Sequence, residues 1–386
     1  MNHASLWSEL EAHPLAGWMR AASGPLPEVD PEGRMLWCGI GGSWMPAEAL
    51  VRALGGPGAL ARWVPLVSPE PMPLVLGRTD QLVFASRSGK TLELWTWIGR
   101  LRTLPGWGRW RRPPLVITRE DGNPLARWAR EERWPLLPIP ETVGGRYSAF
   151  SPVGALPLAW MGRDPAAFFE AGRKVALEVA EARGHWGKRV WGTLDRLLET
   201  HGRGVHTWAF LTYTGGLEAL GKWWVQLVAE SLGKQRPDGF RIGLTPLAAL
   251  GPQDQHSQLQ RWIAGPRDLG VVLTTWAHHA FETPLDLPAA CPCPGLEACT
   301  PLQILAAQVR GTHGALREAG VPVIHWHEAE GLTLEALASL MMAWQITVAL
   351  LGLALGIDPF DQPAVEAGKR GTEHLLHLAG GEPARA

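Results

Sequence analysis

Ser86-Arg87-Ser88-Gly89-Lys90-Thr91 sets three hydroxyls and two cations around one glycine, where an apolar run ends and a helical pattern begins. That composition suits a phosphate cradle, in which backbone N–H groups and side chains at a helix start hold an anion. Gly39-Ile40-Gly41-Gly42-Ser43 stands at the same kind of junction and offers Gly42 and Ser43. Neither loop is a nucleotide fingerprint: the dinucleotide pattern needs glycine where Trp44 stands, and a Walker loop needs it where Phe84 stands. Alone, each also reads as an ordinary helix start with a capping serine. Two such loops at strand ends in one unit favour phosphate, because ligands of α/β proteins gather at strand C-termini.

Four further segments carry chemistry. Val143-Gly144-Gly145-Arg146 places a permanent positive charge after two glycines that let backbone approach a ligand; a structural arginine bridging domains is the alternative. Gln226 and Glu230 share one helix face, while Glu230 and Lys234 have the spacing of an exposed ion pair. His256 falls in the first turn of a helix that Asp254 would cap, where the helix dipole disfavours imidazolium. In Phe360-Asp361-Gln362-Pro363-Ala364-Val365-Glu366-Ala367-Gly368-Lys369, Pro363 suits a first helical turn. Asp361 and Gln362 then sit at the opening and Lys369 about two turns on.

The elements that must position these residues alternate between short apolar runs and helical patterns, the signature of a parallel sheet covered by helices, hence an α/β fold. Strands are expected near 35–40, 63–67, 82–86, 115–118 and 136–139, and helices near 45–54, 92–101, 124–132 and 152–161, the last capped by Ser151. After two polar helical segments, strands are expected near 205–210, 269–275 and 321–327, with helices at 217–232, 255–262 and 302–319. The Pro-rich stretch 284–301 reads as a surface loop. This organisation predicts one domain over 1–164, a second over 165–355, and a helical arm over 356–386. Two domains also suit a chain of 386 residues.

A formal net charge of −1, with no basic block or stripe, gives nucleic-acid binding little electrostatic support. Cys38, Cys291, Cys293 and Cys299 follow no secreted disulfide pattern, and residues 1–20 lack the basic start and apolar core of a signal peptide, so a cytoplasmic protein is expected. Cys291, Cys293 and Cys299 with His278 and His279 lack zinc-knuckle spacing, and no metal site is expected. The uncharged run 336–357 is long enough to span a bilayer. Its acidic flanks and internal Ser339, Gln345 and Thr347 instead predict a helix buried inside an α/β domain. A scarcity of Asn beside abundant Arg, Pro and Trp fits a GC-rich, thermophilic source.

The blocks around Gly39, Ser86, Gly145, Glu230, His256 and Gln362 resemble, in order, the phosphoglucose isomerase family of SIS-type phosphosugar proteins. The resemblance implies two SIS-like three-layer α/β/α domains and interconversion of glucose 6-phosphate and fructose 6-phosphate through a cis-enediolate, without metal or organic cofactor. It implies that Gly42, Ser43, Ser86, Arg87, Ser88, Lys90 and Thr91 surround the phosphate, although members usually carry threonine where Lys90 stands. It further implies that Glu230 shuttles the C1/C2 proton and that Arg146 stabilises the enediolate. His256 and Lys369 would assist ring opening, and Gly145, Gln226 and Gln362 would position the open chain. A homodimer is implied as well, with His256 donated across the interface. A bifunctional phosphoglucose/phosphomannose isomerase is the neighbouring possibility, and a non-catalytic phosphosugar sensor the one from another class.

Overall fold

The computed structural model describes residues 2–70, 72–277 and 283–378. Helix α1 (His3–Ala12) starts at Asn2, whose side chain accepts the N–H groups of Ala4 and Ser5. Strands β1 (Met35–Cys38), β2 (Trp63–Leu66), β3 (Gln81–Ala85), β4 (Leu115–Thr118) and β5 (Leu136–Pro138) then form a fully parallel sheet in the order β2-β1-β3-β4-β5. Between them run α2 (Met45–Leu54), α3 (Pro57–Arg62), α4 (Leu92–Thr103) and α5 (Pro124–Glu131). β1 and β3 are buried along their whole length, as expected of strands covered on both faces.

Ser151 accepts the Val153 N–H and opens α6 (Pro152–Trp160). Asp164 caps α7 (Pro165–Ala180) in the same way, and α8 (Gly184–Gly202) follows. The second half contains β6 (Thr207–Thr212), α9 (Glu218–Leu232), a short antiparallel pair β7 (Lys234–Gln235) and β8 (Arg241–Ile242), β9 (Thr245–Leu250), α10 (Gln253–Ala264) and β10 (Leu269–Trp276). It continues with α11 (Pro301–Glu318), β11 (Val323–Glu328), α12 (Leu334–Ala354) and α13 (Pro363–Leu378). β6, β9, β10 and β11 form a parallel sheet in the order β11-β10-β6-β9.

Strand β9 has no counterpart among the expected strands, because Pro246 and two alanines give it little β signal. It lies at a sheet edge, where proline is tolerated. Thr245 donates its N–H to His206 and Gly251 to Thr212, so the alternate position held by Pro246 faces the open side and forfeits no ladder bond. Helix α12 is the expected apolar helix: it is almost wholly buried against α7, α8 and α9 and is a core element rather than a lipid-facing one. One hydrophobic core runs continuously from Trp37, Trp63 and Trp160 near the first sheet to Trp208, Trp224 and Trp344 near the second. Residues 284–300 form an irregular segment with one 3₁₀ turn, ending at Thr300, which caps α11 in a reciprocal box with Gln303.

Candidate active site

In a sheet ordered β2-β1-β3-β4-β5, the connections from β1 and β3 depart to opposite sides, which leaves a crevice beyond the C-terminal ends of those two strands. Both loops with the composition of a phosphate cradle begin there, one after Cys38 and the other after Ala85. The second loop closes on itself. Ser86 Oγ lies 2.7 Å from Thr91 Oγ1 and accepts the Gly89 N–H at 3.1 Å, while Ser88 Oγ accepts the Lys90 N–H at 3.3 Å. These bonds fix the hydroxyls before any anion arrives. The Lys90 side chain is exposed, and its ammonium makes no hydrogen bond or ion pair among the described residues.

Arg87 turns elsewhere. Its Nε donates to Val143 O at 2.7 Å, which ties the loop to the segment leading into Arg146. Burial and, secondarily, the charge of Arg119 hold the Arg87 guanidinium below the usual arginine range. The first loop docks on the 3₁₀ turn Gly145–Phe150: Ser148 Oγ donates to Gly42 O, and a Cβ on Gly42 would lie 2.0 Å from Gly145 O. Only glycine permits that approach.

Arg146 is the centre of the site, with only 4% of its side chain exposed. Nη1 donates to Glu230 O at 2.8 Å and Pro359 O at 3.0 Å, and Nη2 donates to Asp361 O at 3.0 Å and Gln362 Oε1 at 2.8 Å. Its Nε lies 3.1 Å from Glu230 Oε2, and Gln226 Nε2 donates to Glu230 Oε1 at 2.9 Å. Both carboxylate oxygens are thereby oriented, yet the Glu230 side chain stays 26% exposed and open to a ligand. Arg146 thus bridges the helix that carries Glu230 and the turn 359–362. Beneath it, Tyr147 OH lies 3.1 Å from Ser231 Oγ, and burial pushes that phenol up to about 12, so it stays neutral.

The Glu230–Lys234 pair does not form. Lys234 Nζ donates instead to Asp358 O and Asp361 O, each at 2.6 Å, and to the Asp361 carboxylate. Lys234 and Arg146 therefore clamp the turn 358–362 from two sides and hold Gln362 in place. His13 stacks on Phe360 of the same turn at 4.2 Å. Lys234 is thus a further element of the site, and its one signal in the sequence is a lysine just past Gly233, the cap of the helix that carries Glu230.

His256 and Lys369 stand apart. His256 lies in the first turn of α10, exposed, and no bond among the described residues joins it to Arg146, Gln226, Glu230 or Gln362. Asp254 is not the cap of α10: it sits inside the first turn, where its Oδ2 accepts the Leu250 N–H at 2.7 Å. Lys369 Nζ pairs with Glu366 Oε1 at 2.6 Å on the exposed helix α13. Cys38, Cys291, Cys293 and Cys299 are free thiols, and His278 and His279 lie outside the described residues. Among the described residues no three His, Cys, Asp or Glu side chains are grouped as metal ligands would be.

No family model matches the chain. A crystal structure of a hypothetical protein from Thermus thermophilus superposes with a TM-score of 0.82 at 31% identity, over 97% of this chain and 94% of that one. A glucose-6-phosphate isomerase from Chlamydia trachomatis shares the fold at a TM-score of 0.72 and 19% identity, over 99% of this chain and 74% of that one. The paired parallel sheets with helices between them are the α/β layout shared with the SIS domains of phosphosugar isomerases and deaminases. In sequence, the glucose-6-phosphate isomerase of Thermus thermophilus is 37% identical over 349 residues, which span 86% of this chain and 80% of that protein. The chain belongs to the glucose-6-phosphate isomerase family.

Proposed function

We propose that this protein is the aldose–ketose isomerase that interconverts D-glucose 6-phosphate and D-fructose 6-phosphate. The observation that carries the reading is Glu230, a partly exposed carboxylate whose two oxygens are aimed by Gln226 and Arg146. In the open-chain aldose, Glu230 removes the proton from C2 and a cis-enediolate forms. A proton passes between O1 and O2, and Glu230 returns its proton to C1 to give the ketose. Carbon 2 is oxidised as carbon 1 is reduced, so no external electron acceptor is required.

The phosphate is held at the crevice by Ser43, Ser86, Ser88 and Thr91 and by backbone N–H groups of the two loops, with Gly42 admitting the close approach. Arg87 contributes by bracing the loop, and Lys90 by its free ammonium. Arg146 stabilises the enediolate, and Gly145, Gln226 and Gln362 align the chain. His256 and Lys369 assist ring opening; His256 does so in a neighbouring subunit of a homodimer, which suits its exposed position in the single chain. In this reading 1–164 is the phosphate-binding domain, 165–355 the domain of the base, and 356–386 the arm that brings Lys369. The protein acts in the cytoplasm.

A coupled assay of fructose 6-phosphate conversion tests the reading, and saturable formation of glucose 6-phosphate is expected. Comparable turnover of mannose 6-phosphate would make the enzyme bifunctional. Binding of fructose 6-phosphate without turnover would leave a phosphosugar sensor.

A further inference from the structure

Tyr213 follows directly on β6, where the second sheet repeats the crevice of the first: read from β9, its order β9-β6-β10-β11 has the same succession as β2-β1-β3-β4. The ring is 5% exposed and packs among Trp262, Leu316 and Val321. Its hydroxyl lies 2.8 Å from Gln255 Oε1 on α10 and 2.7 Å from Thr312 Oγ1 on α11, and Thr312 is itself 2% exposed. An amide oxygen cannot donate, so the phenol proton goes to Gln255 and the Thr312 hydroxyl supplies the second bond. Burial raises the phenol above the ordinary tyrosine range, which keeps that proton in place near neutral pH.

The ring also fixes the chain on the other side of the α10 start. A Cβ on Gly251 would lie 2.5 Å from Tyr213 Cε1, so Gly251 rests directly on the ring, while its N–H is held by Thr212 O at 2.7 Å. Both sides of the turn into α10 are thus referred to a single buried tyrosine. His256, the residue after Gln255, has no side-chain partner of its own among the described residues. Its direction is set by the placement of the helix turn that carries it.

We propose that Tyr213 is a positioning residue for His256: through Gln255 it sets the first turn of α10 and thereby the aim of the imidazole during ring opening. The inference rests on the role given to His256 above. Losing the one neutral hydrogen bond that reaches Gln255 shifts the placement of the turn by roughly two- to tenfold. Tyr213→Phe should accordingly lower turnover of fructose 6-phosphate by up to about tenfold. The Michaelis constant should stay near its wild-type value, because the phosphate loop belongs to the other sheet.

The test is a double-mutant cycle on the full-length enzyme with His256→Ala, read as kcat and KM separately. In the His256→Ala background, Tyr213→Phe should cost nothing further. An equal loss in both backgrounds, a loss carried by KM, or no loss at all would overturn the inference and leave Tyr213 a packing residue. Should Tyr213→Phe fold poorly by thermal unfolding, Gln255→Met cuts the same link while sparing the Tyr213–Thr312 bond, and the same pattern is expected. Full activity of His256→Ala would instead remove the role of His256, a failure distinguishable from the first because it appears in the single variant.

Discussion

Glu230 owes its orientation to two donors that differ in kind, a neutral amide from its own helix and a buried guanidinium from a segment 84 residues away. The amide was legible from i,i+4 spacing. The guanidinium was not: the family resemblance gave Arg146 a part at the enediolate, and nothing in local sequence says that it reaches α9. The true partners of Lys234 were hidden for the same reason: spacing alone offers it Glu230, but the turn 358–362 presents two carbonyls and a carboxylate at once. Removing that cation leaves those acceptors uncompensated at a side chain only 7% exposed. Lys234→Met, which keeps the stem without the charge, should destabilise the fold by about 1–3 kcal/mol and lower turnover through a loosened Gln362. A chemical-denaturation midpoint equal to wild type would refute the clamp. Lys90 offers a milder case, since an exposed ion pair contributes only ~0.2–1 kcal/mol. Lys90→Thr should raise KM for fructose 6-phosphate by no more than about fivefold, an effect that salt erases. An unchanged KM at low ionic strength would make Lys90 a bystander to phosphate.

At the level of elements, β1, β3 and β4 were legible because they are buried along their whole length and read as apolar runs. β9 was not, because Thr245, Pro246 and two alanines carry little of that pattern, whereas the edge strand β2 keeps Trp63, Val64 and Leu66 around its own proline. The two loops proposed to hold phosphate were legible as strand-to-helix junctions, but their meeting at one crevice follows from strand order, which no local signal contains. The opposite edge of the second sheet holds a pH-sensitive group. On β11, His325 Nε2 and His327 Nδ1 both lie 2.9 Å from Thr275 Oγ1, and burial, then the charges of His313, His327 and Arg189, lower His325 to about 4. Above its unfolded value of about 6.5, His325 is neutral in both states and contributes no pH dependence. As pH falls from there toward about 4, only the unfolded chain takes up the proton, so stability should decline across that window. His325→Gln should flatten the decline in a series of urea midpoints between pH 7 and 4. Parallel slopes for variant and wild type would contradict the assignment.

For the whole molecule, the hydrophobic core continuous between the two sheets explains how Arg146, from the segment after the first sheet, can serve a carboxylate from the second half. It does not bring in His256 or Lys369. Those residues project from exposed turns, and α13 also presents Val365, Leu375 and Leu376 to solvent. A second copy of the chain is the proposed complement, so specific activity should fall on dilution below the dimer dissociation constant. Mixing Glu230→Ala with His256→Ala subunits should restore some complete sites. No recovery despite demonstrated heterodimers would end cross-subunit sharing.

The proton shuttle itself is tested most directly by Glu230→Gln, which keeps the shape of the side chain and removes its basicity. Wild-type enzyme in deuterated water should form glucose 6-phosphate from fructose 6-phosphate with deuterium at C2, partially if the proton is shielded between transfers. In the variant, turnover and exchange should fall together by at least the ~10²–10⁴ typical of a lost general base, while the fold persists. Near-normal isomerisation and exchange by a folded Glu230→Gln enzyme would contradict the assignment and reduce Glu230 to an anchor for Arg146.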